Sequence, residues 1–246
     1  MKLTKTLAKQ HQAACALLEK DTLNFEQREF VLEHWHPGAE HDQGPIGAFF
    51  TPMELAEAFA VECNGAQTVI DLCAGIGGLS YHRWRRDRPE RLVCVERNPA
   101  YVAVGRKVLP EAEWIQASVF DLPDLGHFAL AMSNPPFGRV RCPGQGPRYR
   151  GGRFEYRVID VASTLADQGV FLIPNTSSPC MWSGCADPKQ QGDRKESEEY
   201  QRFSRETGIH LDLGVGIDTR QWRKDWKGTN IVVESVRVDF RDRRMG

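Results

Sequence analysis

Between residues 68 and 174 the chain alternates short apolar runs with stretches of helical periodicity, and this alternation restricts its fold more than any other feature. Thr68–Leu72, Arg91–Glu96, Glu113–Ala117, Phe128–Ser133 and Gly169–Pro174 read as strands. Gly75-Ile76-Gly77-Gly78 opens a helix after the first of them, and Pro99–Val108 and Phe154–Asp167 read as further helices. Such alternation places a mostly parallel sheet between helices on both faces. Ile209–Ile217 and Asn230–Phe240 are expected to add two strands that close the sheet as an antiparallel hairpin. With 246 residues, 41% of them hydrophobic, the chain suits one large α/β domain with an ordinary core.

The segment before residue 45 differs. Leu3, Leu7, Ala14, Leu17 and Leu18 recur at helical spacing. Asn24 with Gln27 three residues on marks a capping box, and Phe30, Val31 and Trp35 give the second helix an apolar side before Pro37-Gly38 stops it. Residues 1–44 are therefore expected to form an N-terminal helical extension to a domain at 45–246. His34, His36 and His41 cluster there, a pattern more typical of surface or capping histidines than of a metal site. A third helix is expected to start with Thr51 as N-cap and Pro52 in its first turn.

The net charge of −1 excludes a polycation, so nucleic-acid binding would need a local basic patch. No apolar run reaches the ~18–20 residues of a membrane span, and the N-terminus lacks the apolar stretch of a secretory leader, so a cytoplasmic protein is expected. The seven cysteines form no CxxC pair; Cys180 and Cys185 lack a second ligand pair at finger spacing, and no metal site is expected.

Acids follow the strands in order. Asp71 ends the first and leads into Ala74, Gly75 and Gly77, whose loop lets a ligand approach the main chain at a helix N-terminus. Glu96 ends the second, about where a carboxylate accepts ribose hydroxyls. Asp121 follows the third and is expected to accept an adenine amino group, with Phe120 or Arg97 near the ring face. The fourth strand runs into Ser133-Asn134-Pro135-Pro136-Phe137-Gly138. The Asn134 side-chain oxygen and the Pro135 carbonyl can accept the two hydrogens of a planar amino group, turning its lone pair toward a methyl donor. The prolines hold that carbonyl rigidly, and Phe137 offers a stacking face to a base taken out of its helix.

With these motifs the chain resembles the class I S-adenosylmethionine (SAM)-dependent methyltransferases, and among them the amino-methyltransferases of adenine, over roughly residues 45–175. The resemblance implies a Rossmann-like fold with SAM as cofactor, and Asn134, Pro135, Pro136 and Phe137 as the catalytic loop. The Phe49-Phe50-Thr51-Pro52 segment resembles one found ahead of the glycine loop in γ-order DNA adenine methyltransferases, which implies that Phe50, Thr51 and Pro52 contact the methionine part of SAM.

After the catalytic loop, Arg139, Arg141, Arg148, Arg150, Arg153 and Arg157 interleave with Tyr149, Phe154 and Tyr156 against a single acid, Glu155. Arginines contact phosphates and aromatics stack on bases, so Arg139, Arg141, Arg148, Tyr149, Arg150 and Arg153 are candidate nucleic-acid contacts. The Trp222–Lys227 stretch is a second candidate. The resemblance points to N6-methylation of adenine in DNA, single- or double-stranded. An RNA base amino-methyltransferase, a protein-glutamine methyltransferase and a non-catalytic SAM-fold protein that binds nucleic acid are the competing readings. Sequence-specific γ enzymes carry a long recognition domain after the catalytic half, and residues 175–206 hold at most a small reader or lid. Specificity is thus expected to be relaxed or supplied by another subunit.

Overall fold

The computed structural model describes residues 4–36, 49–140, 142–185, 196–227 and 229–241. Its centre is a seven-stranded sheet built from β1 (Thr68–Leu72), β2 (Arg91–Glu96), β3 (Glu113–Gln116), β4 (Phe128–Ser133), β5 (Ala166–Pro174), β6 (Asp212–Leu213) and β7 (Val233–Asp239). The order is β3-β2-β1-β4-β5-β7-β6. Strands β1 to β5 pair in parallel, while β7 runs antiparallel to both β5 and β6. The helices are α1 (Lys5–Leu18), α2 (Phe25–His34), α3 (Met53–Glu62), α4 (Gly78–Asp87), α5 (Pro99–Val108), α6 (Phe154–Leu165) and α7 (Glu198–Thr207).

Alternate residues of each strand feed two cores. Val69, Leu92, Leu130 and Leu172 pack with α1 to α5, whereas Ile70, Val93, Ala131 and Phe171 pack with α6 and α7. Runs apolar on both faces are what a buried parallel strand requires. The N-terminal helices share the first core through Ala14, Val31 and Trp35. The Asn24–Gln27 capping box forms as expected, each side chain accepting from the other's backbone N–H at 2.9 and 3.1 Å. The ties that hold this unit to the sheet layer include Arg28 to Glu111, Arg85 to Glu29, and the Lys227 ammonium to the Leu32 and Trp35 carbonyls at the end of α2. His34 lies edge-on to Phe30 at 4.3 Å; His41 and the Pro37-Gly38 stop lie outside the described residues.

Four expectations need correction. Pro52, not Thr51, caps α3, and no side chain caps that helix. The segment at 175–206, where the sequence pattern assigns no strand or helix, contains the start of α7, whose Tyr200, Phe203 and Thr207 form a buried stripe behind a charged outer side. The sixth strand has two residues, not nine, because Ile209 and Leu211 turn into the core ahead of it and Gly216 takes a left-handed φ of 77° beyond it. The two last strands do pair as antiparallel neighbours, but the connection between them carries a 3₁₀ turn at Thr219–Trp222.

No helix joins β3 to β4; residues 117–127 connect them as turns and a bridge. The Arg- and Gly-rich segment covers the sheet there. Gly144 sits against the Phe120 side chain, closely enough that a Cβ would lie 2.5 Å from the Phe120 Cβ and 2.7 Å from its ring, and Phe154 meets Phe120 edge-on at 5.4 Å.

Candidate active site

The carboxyl ends of β1 and β4 lie side by side at the point where the strand order reverses, the place where open α/β sheets bind ligands. A cavity of about 350 Å³ opens there, within the usual range for small-ligand pockets. A smaller lobe of about 40 Å³ shares Phe49, Phe50, Cys73, Gly75 and Asn134 with it.

The glycine loop and Glu96 are built as one piece. Gly75 and Gly77 take left-handed φ of 60° and 89°, and the Phe50 ring packs close over Gly75. One Glu96 oxygen accepts the Gly75 N–H at 2.9 Å and the other accepts the Asn98 N–H at 2.8 Å. Burial pushes this carboxyl up, and the backbone donors partly oppose the shift. Glu96, Arg97 and Asn98 line the large lobe; Arg97 is exposed and donates to Cys142 Sγ at 3.3 Å.

Asp71 lines the small lobe and is 1% exposed. One oxygen accepts from Ser80 Oγ at 2.6 Å; the other is buried with no partner among the described residues. Burial drives its pKa to about 7, with Glu96 adding to the rise and Ser80 opposing it. A cationic ligand group is what such a site lacks.

Asn134 is oriented from outside its own loop. Its Nδ2 donates to the Phe49 carbonyl at 3.1 Å and to Thr51 Oγ1 at 2.8 Å. Both amide hydrogens are therefore spent, and Oδ1 is left buried with no partner among the described residues, in a side chain that lines both lobes. This is the role of Thr51 in place of helix capping. Phe137 packs between Phe49 and Trp226, with centroids 6.4 and 6.1 Å away.

The structure thus brings Phe50, Thr51, Asp71, Ala74, Gly75, Glu96, Arg97, Asn134 and Pro136 to the two lobes. Pro52, Gly77, Pro135 and Phe137 are not part of the lining. Asp121 is displaced: it is exposed, bridged to Ser118 through its backbone, and the cavity wall at that strand end is Ala117, Ser118 and Val119. The adenine-amino role expected of Asp121 is not supported by this placement, nor is the stacking role of Phe120, which lies under Phe154. Sequence reasoning passed over Phe49, Tyr101, Ser118 and Cys73. For Ser118 the signal was available, since a strand read as ending at Ala117 delivers the next residue to the edge, not one four positions on.

Three of the six expected nucleic-acid contacts, Arg148, Tyr149 and Arg150, are engaged within the fold. Tyr149 is fully buried, with its hydroxyl donating to Glu199, so it has no face for a base. Arg148 donates to buried Asp160 at 2.9 Å, and Asp160 also accepts the Arg148 and Tyr149 N–H groups. Arg150 binds the Gly146 and Pro147 carbonyls. The Arg148 and Arg150 guanidinium groups help to fold the segment that covers Phe120. Arg139, with a side chain 82% exposed, remains outward; Arg153 lies 3.9 Å from Glu155, and Arg141 is outside the described residues. Trp222 and Trp226 are buried too, Trp222 donating to Glu54, which leaves Arg223 and Lys224 as the exposed cations of that stretch. Arg148→Ala is accordingly expected to lower stability by about 1–3 kcal/mol, through the buried partner it strips, in urea unfolding. Weaker nucleic-acid affinity at unchanged stability would contradict this assignment.

No protein-family model matches the chain, and no curated protein matches it. Solved structures do. A protein from Listeria monocytogenes assigned to the class I SAM-dependent methyltransferases aligns over 96% of this chain and 81% of its own, at 10% identity and a TM-score of 0.58. The fold is that of the class I methyltransferases. The 23S rRNA methyltransferase ErmE aligns over 78% of this chain and 69% of its own, at 13% identity and a TM-score of 0.52. A Pyrococcus horikoshii protein assigned as an RNA methyltransferase aligns over 94% of this chain and 98% of its own, at 18% identity and a TM-score of 0.49. No described helix is long and apolar enough to cross a membrane.

Proposed function

We propose that this chain transfers the methyl group of SAM to the exocyclic N6 of adenine in DNA. The observation that carries the reading is the Asn134 carboxamide, held by Phe49 and Thr51 so that its buried oxygen has no partner among the described residues. An amino hydrogen is the natural occupant of that acceptor. The two segments that resemble adenine methyltransferases, Phe49–Pro52 and Asn134–Phe137, are here one hydrogen-bonded unit.

The lining suits the cofactor. Asp71 would hold its ammonium group and Glu96 its ribose hydroxyls through lone pairs not used by Gly75 and Asn98. When bound, SAM supplies a methyl group already activated on a sulfonium. Asn134 Oδ1 and the Pro135 carbonyl would accept the amino hydrogens and direct the nitrogen lone pair, and placement supplies much of the rate. ErmE, named for 23S rRNA, favours RNA as a second reading of the acceptor.

Incubation with labelled SAM and either DNA or RNA, followed by nucleoside analysis, tests the reading. N6-methyldeoxyadenosine is expected. Label in RNA alone moves the acceptor to RNA, and SAM binding without transfer to either supports a non-catalytic binding protein.

A pH dependence follows from Asp71. Its carboxyl is raised from the usual range to about 7, so the anion that would pair with an ammonium is present above pH 7 and lost below. SAM affinity is expected to fall about tenfold from pH 8 to pH 6 in calorimetry, and Asp71→Asn to bind weakly without that slope. A flat wild-type profile would remove Asp71 from cofactor binding. In the free protein the sign reverses: an acid raised by folding makes stability fall as pH rises from about 4 to 7.

A further inference from the structure

A loop stiffened by two prolines is only as well placed as its two ends. At the first end, Asn134 is tied to Phe49 and Thr51 and Ser133 Oγ donates to the Leu72 carbonyl. At the other end stands Gly138, with a left-handed φ of 76°. Its carbonyl accepts the Phe154 N–H at 2.8 Å, and its own N–H donates to Glu155 Oε2 at 2.8 Å. Both polar groups of one backbone residue are thus held by the first turn of α6. The other oxygen of Glu155 accepts from Ser177 Oγ at 2.7 Å, in the segment that follows β5. Ser177 is itself buried, its carbonyl taken by the Tyr156 hydroxyl.

Glu155 is 0% exposed. Burial pushes its carboxyl up, with Ser177 and Gly138 as opposing donors. An acid in the first turn of a helix gains from the dipole in a solvated position too, without the cost of desolvation, so dipole stabilisation alone does not account for its burial. What the buried position achieves is a single side chain bridging the segments that leave β4 and β5, the two strands beside the proposed acceptor site.

We propose that Glu155 is the positioning residue of the Asn134–Phe137 loop: it sets the height of the Pro135 carbonyl by holding Gly138 against Ser177. The proposal rests on the methyl-transfer reading for its kinetic consequence, but not for its structural one. A misplacement of about 1 Å at such a loop costs about 100-fold in rate.

The test compares Glu155→Ala, Glu155→Asp and Glu155→Gln in the full chain, by kcat, by SAM affinity and by hydrogen exchange at the Gly138 amide. Asp keeps the charge but is one methylene too short to span Gly138 and Ser177. Gln keeps an acceptor for Gly138 and a donor for the serine oxygen. Ala and Asp are expected to lose about 100-fold in kcat with SAM affinity within about threefold, and to expose the Gly138 amide to exchange. Gln is expected to recover most of both. If Ala fails to fold, the Asp and Gln pair carries the comparison. A folded Asp variant with wild-type kcat and a protected Gly138 overturns the proposal, as does a Gln variant as impaired as Asp. Should the wild-type chain methylate no nucleic acid while Gly138 exchange follows this pattern, the function reading fails and the positioning role stands.

Discussion

Replacing Asn134 by alanine is expected to lower kcat for methyl transfer by about 100- to 1,000-fold, the range seen when one preorganised hydrogen-bonding group is removed from a reacting centre. SAM affinity should change less than about threefold, because Asp71 and Glu96 are untouched. The asymmetry follows from the geometry. An aromatic amine is planar and its lone pair is delocalised, so an acceptor on one side of the nitrogen matters most as the nitrogen becomes tetrahedral. Asn134 Oδ1 is preorganised for this: the amide cannot rotate without breaking the bonds to Phe49 O and Thr51 Oγ1.

The same geometry makes Thr51 a second lever. Thr51→Val removes one of the two amide acceptors and leaves a buried N–H unpaired, which costs about 1–3 kcal/mol or is relieved by turning the amide over. Either outcome misdirects Oδ1, so kcat should fall about tenfold, and Thr51→Ser should restore it. Single-turnover measurements at saturating SAM separate this from weaker binding. An Asn134→Ala enzyme with near wild-type turnover would remove the mechanism.

Strands β1, β2, β4 and β5 were legible because each is largely apolar on both faces, and α2, α4 and α5 because Asn24, Gly77 and Pro99 stand at their starts. Less legible were features that depend on what packs against what. Thr51-Pro52 reads as a cap from local sequence, yet the hydroxyl is taken by a residue 83 positions away. Asp121 reads as the third acid in a series, but the chain turns back through the Ser118 bridge before reaching it. The Arg-rich segment has the composition of a nucleic-acid contact. Two of its arginines, Arg148 and Arg150, are used to fold it over a sheet region that lacks a helix between β3 and β4, through Asp160 and loop carbonyls. The buried stripe of α7 was masked by the charges beside it: Tyr200, Phe203 and Thr207 keep helical spacing within a stretch that averages polar.

Glu96→Gln is expected to weaken SAM binding by about 100-fold, nearly as much as Glu96→Ala, and this near equality is the informative result. In most carboxylate sites the amide isostere is the mild substitution. Here each carboxylate oxygen already accepts a backbone N–H, from Gly75 at 2.9 Å and from Asn98 at 2.8 Å. A carboxamide has one acceptor oxygen, so its NH₂ must face one of those donors. That leaves a partly buried N–H unpaired, at about 1–3 kcal/mol, and turns an acceptor for a ribose hydroxyl into a donor. Only the loss of the ribose acceptor acts on binding, and at about 1–3 kcal/mol it spans the roughly 2.7 kcal/mol that a 100-fold change in Kd represents. Alanine leaves both N–H groups without their carboxylate but admits water to them, which limits its cost to a similar size. Calorimetric titration of both variants with SAM makes the comparison. A Gln variant that binds like wild type would show that the two backbone bonds are dispensable and that Glu96 acts through charge alone.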